Sequence, residues 1–365
     1  MGIIGCGQIS ELHCDAYTGR SDARVVAVSD KNRDAANVRA AQLGLSESAD
    51  VYTDYRELLA RDDVDVVEIL VPHHLHYEMT VAALDAKKHV SLQKPMTISL
   101  DEADRLVELA AASTTQLRVI ENFIFYPPIQ RAKEIVNAGE LGDVSSVRLK
   151  SAAGFNKGAW PSPSEQWRYS AEQCGGGPQV FDDGHHKFAL AWHFLGLPSR
   201  VHSFIGSTAL ESGARLDCPA VISWTYENGA LGSFETTYSP EMFVEADQYP
   251  QDDRIEITGT KGILWVTRGH GNLLNAPPVI VRTGNTIVSY DDMDTSWASS
   301  FTQATDHFLR SLVDGTQALL SPVQARNVMS FAIAAEESGR LGHAVSPSFR
   351  DATVATPSLA RAKVG

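Results

Sequence analysis

Over the first 120 positions the apolar residues follow two alternating rhythms. Short apolar runs at Gly2-Ile3-Ile4, 24–29, 64–71, 89–92 and 117–120 read as buried strands. Between them, helical spacing covers Ser10–Tyr17, Ala35–Leu43, Tyr55–Ala60, Thr80–Ala86 and Leu100–Ala112. The last of these follows Ser99, with Glu102 at the capping-box position. This alternation predicts an α/β domain with a doubly wound parallel sheet over residues 1–122. Beyond Pro127-Pro128 the rhythm changes. One helix (Ile129–Asn137) ends at Gly139, and period-two stretches follow at 144–153, 200–206, 220–226, 230–238, 253–258 and 262–267. With turn signals such as Asn228-Gly229, they predict an α+β domain over 123–346 around a large, mostly antiparallel sheet packed on one face. Phe301–Val313 and Ala325–Gly342 read as helices, and 347–365 as a poorly ordered tail.

The first strand runs into Gly5-Cys6-Gly7-Gln8-Ile9-Ser10, a GxGxx turn with Ser at the third glycine's place. Such glycines let a strand turn tightly and bring backbone amides to a pyrophosphate. Asp30 ends the second strand, 20 residues after Ser10, where an acid accepts hydrogen bonds from ribose hydroxyls. As a lone feature, Asp30 reads equally as a helix cap. Strand, glycine turn, helix, strand and acid together predict a dinucleotide site, with NAD as the cofactor. Ligands of such sheets lie at the carboxyl ends of strands. The candidate cofactor residues there are Gly5, Gly7, Gln8, Ile9, Asp30, Pro72, His73, His76, Gln93, Lys94 and Asn122. His73, His74 and His76 suggest a metal only weakly, because a fourth ligand is missing, so none is expected.

A second chemical signal is Cys174-Gly175-Gly176-Gly177-Pro178 followed by Asp182, His185 and His186, then a helical apolar run to Leu195. Glycines there suit a place where backbone must approach something closely. Asp182 and His186 stand four apart, one helical turn, so a carboxylate can orient an imidazole that acts as general base. The loop before them holds Trp160, Trp167, Arg168 and Tyr169, which either bind a sugar face or anchor the loop. Candidate substrate residues are therefore Trp160, Trp167, Arg168, Tyr169, Asp182, His185 and His186.

Composition narrows the class. The 365 residues are 43% hydrophobic and 21% charged, and a net charge of −14 without a basic cluster excludes a nucleic-acid partner. Four scattered cysteines argue against a zinc site or disulfide framework and for a reducing compartment. No signal peptide or membrane span is expected, so the expected location is cytoplasmic. An exposed sheet face on the second domain would favour a homo-oligomer, a dimer or tetramer.

Taken in order, the glycine turn, Val71-Pro72-His73-His74-Leu75-His76, Gln93-Lys94-Pro95, and the glycine run with Asp182 and His186 resemble the glucose–fructose oxidoreductase / inositol dehydrogenase / MocA family. The resemblance extends to Gly259-Thr260-Lys261-Gly262 and Glu336-Glu337-Ser338-Gly339-Arg340. It implies a Rossmann domain, NAD(P) and a sugar or polyol substrate. It also implies that Lys94 lies beside nicotinamide and substrate, and that His186 is the proton acceptor, with Asp182 beside it. Three departures stand out: Gln93 replaces the family's Glu, Ile124 stands where Arg is frequent, and one extra residue precedes Asp182. The expected activity is oxidation of a secondary hydroxyl. The alternatives are a redox-neutral NAD-dependent glycoside hydrolase and, less favoured, a non-catalytic NAD-binding sensor.

Overall fold

A computed structural model of the chain describes residues 1–46, 50–157 and 166–351. They form two compact units. Unit one comprises Met1–Asn122 and Phe301–Asn327, joined by Arg350; unit two comprises Phe123–Ser300 and Val328–Phe349.

Unit one is built on β1 (Gly2–Ile4), β2 (Ala27–Ser29), β3 (Val51–Tyr52), β4 (Val66–Ile69), β5 (His89–Gln93) and β6 (Leu117–Ile120), all parallel in the order 3-2-1-4-5-6. β1, β4 and β6 are buried at every position, as strands covered on both faces must be. The connecting helices are α1 (Ser10–Asp15), α2 (Arg33–Leu43), α3 (Tyr55–Leu59), α4 (His76–Asp85) and α5 (Leu100–Ala112). α5 shows why such a segment folds. Ser99 accepts the Glu102 amide at 3.3 Å, and Ala103, Leu106 and Val107 turn inward at helical spacing.

The expected second domain, residues 123–346, is corrected in one part. Phe308, Leu312 and Ala318 join the core cluster of Ile3, Val28 and Val66, and the Val119 amide donates to the Leu320 carbonyl at 3.0 Å. Residues 301–327 therefore pack with unit one. The tail expectation also changes. The Ser348 amide donates to Ser330 Oγ at 3.1 Å, and the Arg350 side chain pairs with Asp104 and Glu108, so 347–351 are tied down. Residues 352–365 lie outside the described residues.

Unit two begins with helix α6 (Pro127–Asn137) and carries an eight-stranded sheet. Its strands are β7 (Val144–Phe155), β8 (Arg200–Ile205), β9 (Ala220–Thr225), β10 (Leu231–Phe243), β11 (Gln251–Gly259), β12 (Gly262–Val266), β13 (Val279–Thr283) and β14 (Thr286–Tyr290). Their order is 14-13-12-11-7-10-9-8, antiparallel except for the β7–β10 pair. β9 alternates buried and exposed residue by residue, the mark of a sheet packed on one face.

Candidate active site

In unit one the candidate cofactor residues lie at or just beyond the carboxyl ends of the parallel strands. Gly5 has φ +96, and a Cβ there would meet the Leu70 carbonyl oxygen at 2.3 Å, so the turn after β1 accepts only glycine. Gly7 is exposed and Ile9 precedes α1. Asp30 Oδ2 accepts the Cys6 amide at 2.8 Å and Oδ1 accepts the Asn32 amide at 2.8 Å. The acid thus pins the glycine turn while its remaining lone pairs stay available to ribose hydroxyls. Pro72 and His73 follow β4, Gln93 ends β5 with Lys94 next, and Asn122 follows β6. His76 lies deeper. Its ring is fully buried, with Nδ1 2.8 Å from the Pro95 carbonyl and Nε2 2.9 Å from that of Val71. Burial drives its pKa down to about 4, so the neutral ring has one N–H, which it donates to one of these two carbonyls.

In unit two the histidine element departs from a plain helix. Pro178–Asp183 is a π-helical turn, in which the Asp182 amide reaches the Gly177 carbonyl at 3.1 Å, and a regular helix α7 runs from Gly184 to Leu195. A wide turn absorbs one additional residue, matching the extra residue before Asp182. Asp182 is buried and pairs with Arg168, whose guanidinium lies 4.8 Å over the Trp167 ring. Tyr169 follows on the same turn. Trp160 lies outside the described residues. His186 keeps 9% of its surface and packs on Phe123 at 4.6 Å between ring centroids, whereas His185 keeps 0%.

Next to His186 in the chain stands a group that the sequence pattern did not reveal. Lys187, 1% exposed, reaches Asp183 at 3.0 Å and Asp253 at 3.1 Å, and Gln251 Nε2 donates to Asp183 at 2.9 Å. Burial opposes the Asp183 anion, but the Lys187 and His186 charges outweigh it and hold its pKa below the ordinary value. Burial likewise opposes the Lys187 cation, and Asp183 and Asp253 outweigh it. Asp252 accepts the Gly269 amide at 2.8 Å and that of Leu273 at 3.0 Å, fixing the loop that carries His270. Burial pushes Asp252 up to about 6 and His270 down to about 4. The His270 ring lies 5.9 Å from Phe123 and 4.8 Å from Trp297. Only the Asp183–Lys187 spacing, one helical turn, signalled any of this in the sequence. Among the described residues no three His, Cys, Asp or Glu side chains gather as a metal set.

The glycine run approaches two carboxylates. A Cβ on Gly176 would meet Glu336 Oε2 at 2.4 Å, and one on Gly177 would meet Asp217 Oδ2 at 2.1 Å. Glu336 accepts the Gly177 amide at 2.6 Å, and Asp217 accepts those of Gln179 and Val180 at 2.8 Å each. These bonds hold the start of the π-helical turn. Burial pushes Glu336 up to about 7. A carboxyl that holds its proton more tightly when folded stabilises the fold fully at low pH. That contribution fades as pH rises from the ordinary carboxylate range through 7. Glu336→Gln keeps an acceptor for Gly177 but cannot ionise. Its urea midpoint should therefore fall less than that of the unsubstituted protein between pH 5 and pH 8. Equal falls in both proteins would refute this.

A glycine-turn Rossmann unit with a mostly antiparallel second unit defines a class, the NAD-binding oxidoreductases built in two parts. Two family models match the chain: "Oxidoreductase family, NAD-binding Rossmann fold" over residues 1–121 and "GFO/IDH/MocA C-terminal domain" over 129–265. The chain belongs to the Gfo/Idh/MocA oxidoreductase family. It is similar to myo-inositol 2-dehydrogenase of Thermotoga maritima, 28% identical over 72% of this chain and 73% of that one. Similarity to scyllo-inositol 2-dehydrogenase (NAD(+)) of Bacillus subtilis is 24% over 93% and 94% of the two chains. Levoglucosan dehydrogenase, solved in complex with NADH, shares the fold with a TM-score of 0.80 at 20% identity, over 96% of this chain and 99% of that one.

Proposed function

We propose that this oxidoreductase transfers hydride between NAD and a secondary hydroxyl of a sugar, sugar derivative or cyclic polyol. The observation that carries the reading is His186, an imidazole with a little exposed surface, next in the chain to Lys187, which is buried against Asp183 and Asp253. The inositol and levoglucosan dehydrogenases among the similar proteins support the substrate class. NAD, held by Gly5, Gly7, Gln8, Ile9, Asp30 and the strand-end residues Pro72, His73, Gln93, Lys94 and Asn122, supplies the hydride acceptor. His186 takes the hydroxyl proton as the carbon is oxidised. Asp182, held by Arg168, orients the imidazole, and the negative Asp183 favours its protonated form. In the family pattern Lys94 hydrogen-bonds the same oxygen and steadies its developing charge. Trp167, Arg168 and Tyr169 contribute the sugar-facing surface. Asp30 disfavours the 2′-phosphate of NADP.

The protein is further proposed to be cytoplasmic, in keeping with its four buried cysteines, and a homo-oligomer. Phe204 (70% exposed), Val221 and Leu231 stand on the open side of the sheet and support a second copy there. A monomeric mass by light scattering would remove that part. No helix among the described residues is long and apolar enough to cross a membrane.

The activity is tested with a panel of sugars, polyols and glycosides, following NADH absorbance and released aglycone together. One NADH per oxidised hydroxyl is the expected result. NAD-dependent aglycone release without NADH would overturn it in favour of redox-neutral hydrolysis.

A further inference from the structure

β4 and β6 are wholly buried, yet they carry Glu68 and Arg118, each 0% exposed. Isolated charges do not survive such burial, so each must be compensated. Glu68 Oε2 lies 2.8 Å from His13 Nδ1, and Oε1 accepts the Tyr17 hydroxyl at 3.1 Å. Arg118 donates to the Ala304 carbonyl at 2.7 Å and to Ser91 Oγ at 3.2 Å, with its guanidinium 4.4 Å over Phe308. The other nitrogen of the His13 ring meets β5. His13 Nε2 is 3.3 Å from Gln93 Nε2, and Gln93 Oε1 accepts the Lys94 amide at 2.8 Å.

Donor and acceptor rules leave one arrangement. The Lys94 amide can only donate, so the Gln93 oxygen faces it and the Gln93 NH₂ faces His13. That NH₂ can only donate, so Nε2 of His13 must be the bare acceptor. The ring proton then sits on Nδ1 and is donated to Glu68. A carboxylate, an imidazole, a carboxamide and a backbone amide form a chain with a single direction, ending at the residue before cis-Pro95.

We propose that Glu68 and His13 are positioning residues that fix the Gln93 carboxamide and, through it, the backbone at Lys94. The negative charge that a Glu at position 93 would carry sits one imidazole further back, on Glu68. His13 is faced by Glu68 from β4, Gln93 from β5 and the Phe301 edge at 5.1 Å, while Tyr17 and Arg118 face Glu68. The catalytic consequence rests on the role proposed above for Lys94; the tautomer does not.

Ring ¹⁵N shifts of His13 in the full-length protein, without substrate, test the chain directly. Nδ1–H with a bare Nε2 is expected. In Gln93→Glu a carboxylate replaces the NH₂ donor, so His13 should become doubly protonated. An Nε2–H tautomer in the unsubstituted protein, or an unchanged ring in Gln93→Glu, overturns the proposal whether or not sugars prove to be substrates. Turnover provides the second readout. His13→Leu removes the acceptor and is expected to lower kcat about tenfold with NADH affinity nearly kept. His13→Gln offers an amide oxygen near the Nε2 position and should recover most of that loss. Equal losses in both variants, or none in either, would assign the network a purely structural role.

Discussion

Replacing His186 with alanine is expected to lower turnover by about two orders of magnitude while leaving NADH binding near that of the unsubstituted protein. The imidazole stands on α7, packed on Phe123, and retains surface where neighbouring His185 retains none. Its loss would remove the proposed acceptor for the hydroxyl proton. The residues proposed to hold the dinucleotide all lie on unit one, so cofactor affinity should persist. Steady-state rates with the best substrate of the panel, together with NADH fluorescence titration, measure the two effects separately. Turnover close to that of the unsubstituted protein would place the base elsewhere. His185 is then a poor replacement, because its ring has no exposed surface.

Local physics made most of unit one legible in the sequence. α5 was bounded correctly because its cap, its first-turn acids and its apolar stripe all agree, and β6 because four buried residues leave no ambiguity of face. The glycine turn and Asp30 were legible because each demands a particular residue type: no Cβ at Gly5, an acid at the end of β2. β13 and β14 escaped notice. Ile287 and Val288 on the edge strand are exposed, so period-two alternation never appears, although Gly284, at φ +57, marks the turn.

The histidine element was legible in identity but not in geometry. Counting four residues from Asp182 to His186 assumed a regular helix. Two carboxylates from distant segments, Asp217 and Glu336, instead hold a wide turn whose last residue is Asp183. The residue types at a site can be read locally, whereas turn geometry imposed by groups 38 and 159 positions away cannot. Asp253 reaches Lys187 by the same kind of long-range contact.

Lys187→Met should lower stability by about 3–5 kcal/mol, because breaking a buried ion pair strands its partners. Methionine fills much of the volume but loses the ammonium that lies 5.2 Å from the centre of the Phe123 ring. It leaves Asp183 and Asp253 without their shared cation, and Gln251 Nε2, at 2.9 Å from one and 3.4 Å from the other, is a neutral donor. With the ammonium present, Asp183 is held below the ordinary carboxylate range, and that stabilisation is lost only as pH falls through the lowered value. Without it, burial raises the Asp183 carboxyl, so the variant should regain stability on acidification from pH 7 to pH 5 relative to the unsubstituted protein. Urea unfolding at the two pH values checks the sign. Lys187→Met combined with Asp183→Asn and Asp253→Asn should recover most of the loss, since no buried charge then remains. A loss below about 1 kcal/mol in the single variant would mean that water already compensates the cluster, as it does for exposed pairs.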